Sequence, residues 1–128
     1  MIWTPDAQDI FRTFSAIYDA FPDVRDAGLL QSSLERPQIQ LYGNPQYVTI
    51  HQKCASLLDS LCRNHALVDG NKRCAWIAVR LTYYRNLGAV WVLGDDEAYD
   101  LVIEVSSTHL DVDEIARRLE RGFHQINH

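Results

Sequence analysis

Two long segments with helical periodicity meet at a short polar loop, and this feature constrains the fold more than any other. Apolar residues recur on one stripe from Thr49 to about Asn64, and a second helical pattern runs from about Asn71 to Asn86. The first stripe consists of Ile50, Cys54, Leu57, Leu58, Leu61 and Cys62. The pattern predicts two helices that are joined by the loop 65–70.

Other segments also predict helices, so the expected fold class is mainly α. The first helix is expected to start at Thr4-Pro5-Asp6, because Thr can cap a helix and Pro suits its first turn, and to end at Pro22. The remaining predicted helices are a short one with Leu29, Leu30 and Leu34 that stops before Pro37, one from Asp95 or Asp96 through Glu104, and one from Glu114 to Arg121 started by Asp111 or Asp113. Residues 89–93 could form a short extended piece, and the tail GFHQINH is expected to fray.

The segment 35–49 interrupts this helical pattern. It contains Pro37, Pro45 and a Tyr42-Gly43 pair, which indicate a long loop or a hairpin-like flap. Long loops in compact domains are often lids over functional sites. The expected architecture is therefore a compact helical bundle with a small β-hairpin or flap element.

Composition limits the class of protein further. A chain of 128 residues, of which 47% are apolar, predicts one domain, 1–128, with a substantial core. It has no run of about eighteen apolar residues and no secretory leader, so we expect a cytoplasmic protein without a membrane span. The net charge of −5 disfavours general binding of nucleic acid. An odd count of three cysteines indicates reduced thiols.

The loop and the start of the next helix carry a high density of chemical groups, in the sequence HALVDGNKR at positions 65–73. A helix N-terminus offers unpaired N–H groups and a positive dipole end, which bind phosphate. Gly70 lets the backbone approach a ligand, Lys72 adds a point charge, and Arg73 adds a planar fork. Asp69 suits Mg²⁺ alongside phosphates, and His65 can accept a proton near neutral pH. Together these groups could transfer a phosphoryl or nucleotidyl group to a hydroxyl.

Several of these residues also have a structural interpretation. His65 could be the C-cap of the first helix, Asp69 could cap the second, and Arg73 could pair with Asp69. The position of His65 raises a further question, because a helix C-terminus favours a charged imidazole whereas a general base must be neutral. Solvation or a neighbouring cation such as Arg63 would have to offset that effect.

The nine residues resemble the signature loop of the Fic/Doc superfamily, in particular its Doc (death-on-curing) branch, with the pattern His-x-Phe-x-Asp/Asn-x-Asn-Lys-Arg. Members that transfer AMP have Gly-Asn-Gly-Arg here and usually another arginine shortly afterwards. In this chain Lys72 stands at the second glycine and Trp76 at the extra arginine, and both differences favour the Doc branch. Leu67 departs from the usual Phe, and we expect this change to affect stability modestly.

The resemblance implies a Fic-like bundle with a defined set of site residues. His65 would act as base toward a protein hydroxyl, and Asp69 would hold Mg²⁺. The residues that bind the phosphates of ATP would be Gly70, Asn71, Lys72 and Arg73. Doc proteins of this kind are toxins that phosphorylate a threonine of elongation factor Tu and so arrest translation. A cognate, Phd-like antitoxin blocks them, so contact with nucleic acid would be indirect, through the antitoxin.

Two other functions remain open on the residues alone. The same groups, with the nucleotide in the other orientation, would transfer AMP or another phosphate-linked group to a protein hydroxyl. Alternatively, the chain could be a non-catalytic module that binds an antitoxin and tunes repression of their operon. Tyr42-Gly43 in the flap is a candidate for docking a target protein, and the aromatic residues Trp76, Tyr83 and Tyr84 are candidates for core and partner surface.

Overall fold

The computed structural model describes residues 2–126, which form six α-helices and two small antiparallel sheets. The helices are α1 (Ala7–Tyr18), α2 (Ala27–Glu35), α3 (Ile50–Arg63), α4 (Asn71–Leu87), α5 (Asp95–Ser107) and α6 (Val112–Gly122). A 3-10 helix, Arg36–Gln38, follows α2, and the strands are β1 (Gln40–Leu41), β2 (Asn44–Pro45), β3 (Ala89–Trp91) and β4 (Phe123–Gln125). The expected mainly α bundle with a small hairpin is confirmed. Within residues 2–126, none of the helices has both the length and the apolar character that crossing a bilayer requires.

Helix α3 lies at the centre of the bundle, where it packs against α2, α4, α5 and α6. It begins at a capping box, in which the Thr49 hydroxyl accepts from the Gln52 N–H and the Gln52 side chain accepts from the Thr49 N–H. Its predicted apolar stripe is buried except for Ile50, which is half-buried, and Leu57 and Leu58 are at most 1% exposed. Burying such a side chain contributes about 1.5–3 kcal/mol, so the helix that leads into the polar loop is firmly held.

The three cysteines are core residues. Cys54, Cys62 and Cys74 are free thiols, and all three are buried. Burial raises the pKa of Cys62 and of Cys74 to about 12, and it raises the pKa of Cys54 as well. Because the thiolate is the reactive form, these thiols are inert at neutral pH.

An aromatic cluster joins the end of the chain to α4. The ring of Phe123 stacks on the ring of Tyr83 with centroids 3.9 Å apart, and it lies 5.3 Å from the ring of Trp91. The prediction of a frayed tail is therefore wrong for residues 123–125, because β4 pairs with β3 in an antiparallel register that sets Trp91 opposite Phe123. Residues 127 and 128 of the tail lie outside the described range.

Helix α1 differs from the sequence prediction at both ends. Its N-cap is Asp6, not Thr4, because Asp6 and Asp9 make reciprocal capping bonds of 2.8 and 2.9 Å. It ends at Tyr18 rather than at Pro22, because the residue after Tyr18 adopts a left-handed backbone with φ 55°. The residues between this end and Pro22 form a turn instead of a further helical turn.

The predicted flap is a β-hairpin with a two-residue turn. Strand β1 pairs antiparallel with β2, and Tyr42 and Gly43 between them have φ values of 52° and 80°, as a type I′ turn requires. The side chain of Tyr42 is fully exposed. Arg36 fastens the base of the hairpin to α3, since its guanidinium donates to the Asp59 carboxylate and to the Ser60 hydroxyl, each at 2.8 Å. The hairpin therefore projects from a fixed base.

Candidate active site

The loop between α3 and α4 begins with a strained residue at the position of the predicted base. Asn64 is the C-cap of α3, so His65 is not the cap but the next residue, with a left-handed backbone at φ 49°. Residues other than glycine rarely adopt this conformation, and it persists only where surrounding contacts hold it. The side chain of His65 is exposed and therefore accessible to a substrate.

A short segment before α2, residues 23–26, holds one side of this loop, and we call it the strap. Its backbone runs antiparallel to the loop, with a β-bridge between Val24 and Leu67. Further backbone hydrogen bonds of 2.8 and 2.9 Å join the strap to Ala66 and to Val68. Sequence reasoning missed the strap, because it is too short to show periodicity and its partners lie about 40 positions further along the chain.

Arg25 connects the strap directly to the predicted base. Its guanidinium donates to the backbone carbonyl of His65. The bond gives the carbonyl of His65, which lies just beyond the C-cap of α3, a charged donor. Arg25 therefore stabilises the backbone conformation that sets the position of His65.

Replacing Arg25 by glutamine is expected to loosen the loop without unfolding the protein. The bond to the His65 carbonyl is lost, and such a bond contributes about 1 kcal/mol. Native-state hydrogen exchange of the Val68 amide, which donates to Asp23 of the strap, should accelerate by about fivefold. Arg12→Gln, at another exposed arginine, is the matched control. Unchanged exchange of Val68 in the Arg25 variant would show that Arg25 does not hold the loop.

Helix α4 begins with an open N-terminus. Its N-cap is Gly70, with φ 84°, and a Cβ at this position would lie 3.3 Å from the ring of Phe14. Within residues 2–126 no side chain caps the helix. The capping role considered for Asp69 is therefore wrong, and its carboxylate instead accepts from the Gly70 N–H at 2.8 Å. The N–H groups of the first turn of α4 are available to an anion.

Asn71 has a structural role that sequence reasoning did not assign to it. Its Oδ1 accepts from the Leu67 N–H at 3.0 Å, and its Nδ2 donates to the Leu67 carbonyl at 3.1 Å. The side-chain amide is therefore engaged at both ends in closing the loop. Its backbone N–H, in the first turn of α4, is the group that remains for an anion.

Lys72 and Arg73 are both exposed beside this helix N-terminus. The guanidinium of Arg73 lies 4.8 Å from the centroid of the Tyr18 ring, a cation–π contact. Among the ion pairs of residues 2–126 there is none between Arg73 and Asp69, so that structural interpretation of Arg73 is wrong. The charge of Lys72 acts on the Cys62 thiol, where it partly opposes the effect of burial on that pKa.

Asp69, Gly70 and Arg73 line a surface groove of about 350 Å³. Its other wall comes from α1 and the turn after it, and includes Phe14, Tyr18, Phe21 and Pro22. A volume of this size is typical of small-molecule sites, which combine apolar walls with a few polar groups. Asn71 and Lys72 do not line this groove.

His65 lines a different depression from Asp69. This cleft has a volume of about 210 Å³ and is formed by Arg63, His65 and residues 106–109. The structure therefore brings together Asp69, Gly70 and Arg73, three of the residues predicted to bind metal or phosphate. It places His65, the predicted base, in a second depression that the same loop also lines.

The loop that carries this geometry lies within the part of the chain that matches a known family. The family model described as the Fic/DOC family matches residues 6–82, which is more than half of the chain. The chain belongs to the Fic/Doc family. It is also 41% identical over 117 residues to a protein named Toxin Doc from Mycolicibacterium smegmatis, covering 89% of this chain and 88% of that protein. This Fic/Doc protein is thus a homologue of a toxin of the Doc type, as the loop sequence indicated.

The donor set of this Fic/Doc protein fits magnesium better than a metal held by protein ligands alone. Within residues 2–126, no three His, Cys, Asp or Glu side chains converge on one point. Asp69 is exposed, and its Oδ2 is not used by the bond that Oδ1 makes to Gly70. Mg²⁺ is usually bound by one or two carboxylates, with substrate phosphates and water as further ligands. One free carboxylate oxygen beside an open helix N-terminus matches that requirement.

Two arginines of this Fic/Doc protein lie near His65, the predicted proton acceptor. Arg25 contacts the His65 carbonyl, and Arg63 lines the same cleft as His65. The sequence pointed to Arg63 as a cation near His65, and the structure adds Arg25.

Proposed function

We propose that this protein is a Doc-type protein kinase, a toxin that transfers phosphate from ATP to a threonine hydroxyl of a target protein. The observation that carries the proposal is the open N-terminus of α4, whose N-cap Gly70 lines the groove with Asp69 and Arg73 and follows the exposed His65 in the same loop. The homology to a protein named Toxin Doc supports the assignment to the toxin class. The Fic/Doc family supports a transferase.

In the proposed reaction, His65 removes the proton from the threonine hydroxyl. The hydroxyl oxygen attacks the γ-phosphorus of ATP, the bond from that phosphorus to the β–γ bridging oxygen breaks, and ADP leaves. Backbone N–H groups of the first turn of α4, from Asn71 onward, together with the side chains of Lys72 and Arg73, stabilise the negative charge on the phosphates. Gly70, whose own N–H is bonded to Asp69, lets the phosphates approach the backbone. Asp69 would hold Mg²⁺, and the metal would supply neutralisation of phosphate charge.

Lys72 favours phosphate transfer over transfer of AMP. In AMP-transferring relatives a glycine occupies this position, and a long charged side chain would fill space that their nucleotide uses. Here Lys72 is exposed in the first turn of α4 and can collect the terminal phosphates. ATP would then bind with its γ-phosphate toward the base, which is the orientation that a kinase requires.

The partners in this proposal follow from the Doc class. The target is elongation factor Tu in the cytoplasm, and its phosphorylation would arrest translation. A cognate, Phd-like antitoxin would neutralise the toxin, and contact with nucleic acid would pass through that antitoxin. The homology to Toxin Doc supports an antitoxin partner.

Labelled nucleotide distinguishes the kinase from its alternatives. With ATP labelled at the γ-phosphate, we expect label on elongation factor Tu; with ATP labelled at the α-phosphate, we expect none. Each reaction is repeated with His65→Ala protein as the control for contaminating kinases. Label arriving from the α-phosphate would make the protein an AMP transferase. No label from either position, with tight binding of the antitoxin, would favour the non-catalytic module.

A further inference from the structure

The cleft beside His65 is built from two distant parts of the chain. One wall is the end of α3 and the start of the loop, with Arg63 and His65, and the other is residues 106–109, from the end of α5 into its connection to α6. This turn lies beyond residues 6–82, so the family match assigns it no role. The cleft volume of about 210 Å³ suits a segment of polypeptide better than a whole nucleotide.

Arg63 fixes the second wall of the cleft. Its Nη1 donates to the Thr108 carbonyl and its Nη2 donates to Nδ1 of His109, both at 2.9 Å. Because a guanidinium has no acceptor, Nδ1 of His109 must be the acceptor, and the ring proton of a neutral His109 is then on Nε2. His109 therefore presents a defined N–H donor at an exposed edge of the cleft.

The hydroxyl groups of Ser107 and Thr108 on this wall can accept hydrogen bonds. Ser107 Oγ donates to the Ile103 carbonyl and Thr108 Oγ1 donates to the Glu104 carbonyl, each at 2.7 Å. Their hydrogens are used within the helix, so their oxygen lone pairs remain. Among the described residues, no carboxylate lines the cleft. A wall with hydroxyl acceptors and one imidazole donor is complementary to the N–H and C=O groups of a peptide backbone.

We propose that this cleft binds the polypeptide segment of the target that carries the acceptor hydroxyl, with His109 as a specificity-determining residue. The inference rests on the proposed function. A general base must come within hydrogen-bonding distance of the hydroxyl it deprotonates, so the target chain must pass along a surface that His65 lines. In the proposed function the groove with Asp69 and Arg73 serves the nucleotide, and the cleft is a depression that His65 itself lines.

Variants at His109 test this proposal by steady-state kinetics, with elongation factor Tu and ATP varied separately. His109→Ala should raise the KM for elongation factor Tu by about five- to tenfold, the effect of losing one hydrogen bond, and leave the KM for ATP unchanged. Glutamine can donate from the position of Nε2, whereas asparagine can accept from Arg63 at the position of Nδ1 but does not reach as far. We therefore expect His109→Gln to restore the KM for elongation factor Tu and His109→Asn to leave it raised.

His124, an exposed histidine that does not line the cleft, supplies the matched control His124→Ala. An unchanged KM for elongation factor Tu in His109→Ala, or full recovery in His109→Asn, would overturn the proposal, since the second result would make His109 purely structural. If the unmodified protein transfers no phosphate to elongation factor Tu, the proposed target is wrong, and calorimetry of the two proteins without ATP decides the role of the cleft. Weaker binding of elongation factor Tu by His109→Ala than by the unmodified protein would then support the proposed role of the cleft. Equal binding by the two proteins, or no binding by the unmodified protein, would overturn that role.

Discussion

Replacing His65 by alanine is expected to abolish phosphate transfer while the protein stays folded. Loss of a general base typically lowers the rate by about 10²- to 10⁴-fold. The side chain of His65 is exposed, so its removal leaves no cavity, and the left-handed backbone is held through the carbonyl rather than through the ring. The measurement is transfer of γ-label from ATP to elongation factor Tu, followed as an initial rate.

The control for this prediction separates chemistry from folding. His124→Ala removes another exposed imidazole and should retain full activity. Urea unfolding of the His65 variant should give a free energy of unfolding within about 0.5 kcal/mol of the unmodified protein, as is usual for surface substitutions. A folded His65→Ala protein with an undiminished rate would remove His65 from the mechanism.

Gly122→Ala is expected to destabilise the fold by forcing a methyl group into the ring of Trp91. A Cβ at position 122 would lie 2.0 Å from the six-membered ring of Trp91. This ring packs edge-on against Trp76 with centroids 5.1 Å apart, and it also contacts Phe123, so it cannot move without disturbing its neighbours. Overpacking of this kind costs about 1–3 kcal/mol, and the midpoint of urea unfolding should fall accordingly.

Gly28→Ala provides the comparison for this second prediction. Gly28 is in α2, its backbone does not require glycine, and a Cβ there would meet only Asp26 Oδ1, at 3.4 Å. Alanine favours the helical backbone, so stability should be unchanged or rise by up to about 1 kcal/mol. Equal loss of stability in both variants would show that contact with Trp91 is not the cause of the effect at position 122.

The helices that flank the loop could be predicted from the sequence because local information determines them. The apolar stripe of α3 repeats at helical spacing, Thr49 caps it, and Gly70 and Gly88 mark the ends of α4. At the start of α1 both Thr4 and Asp6 can act as N-cap residues. Asp6 is the N-cap because its side chain and that of Asp9 make reciprocal capping hydrogen bonds. Sequence reasoning did not weigh that pair.

Features that depend on distant contacts could not be predicted in this way. The strap pairs with residues about 40 positions away, and β4 is ordered by Phe123 packing on Tyr83. Neither contact leaves a periodic pattern in its own short segment. For the same reason the sequence located the residues of the loop but not the support that Arg25 gives to the His65 carbonyl.

The strap also affects the stage of synthesis at which the loop and the cleft can form. The loop conformation requires residues 23–26 to meet residues 65–68, and the cleft requires Arg63 to meet Thr108, 45 positions later. Contacts between such distant positions form late, because the intervening chain must first be closed into a loop. A nascent chain that has emerged from the ribosome only through α4 lacks the far wall of the cleft, and under the role we propose for this cleft a translation product that stops there would not modify the target.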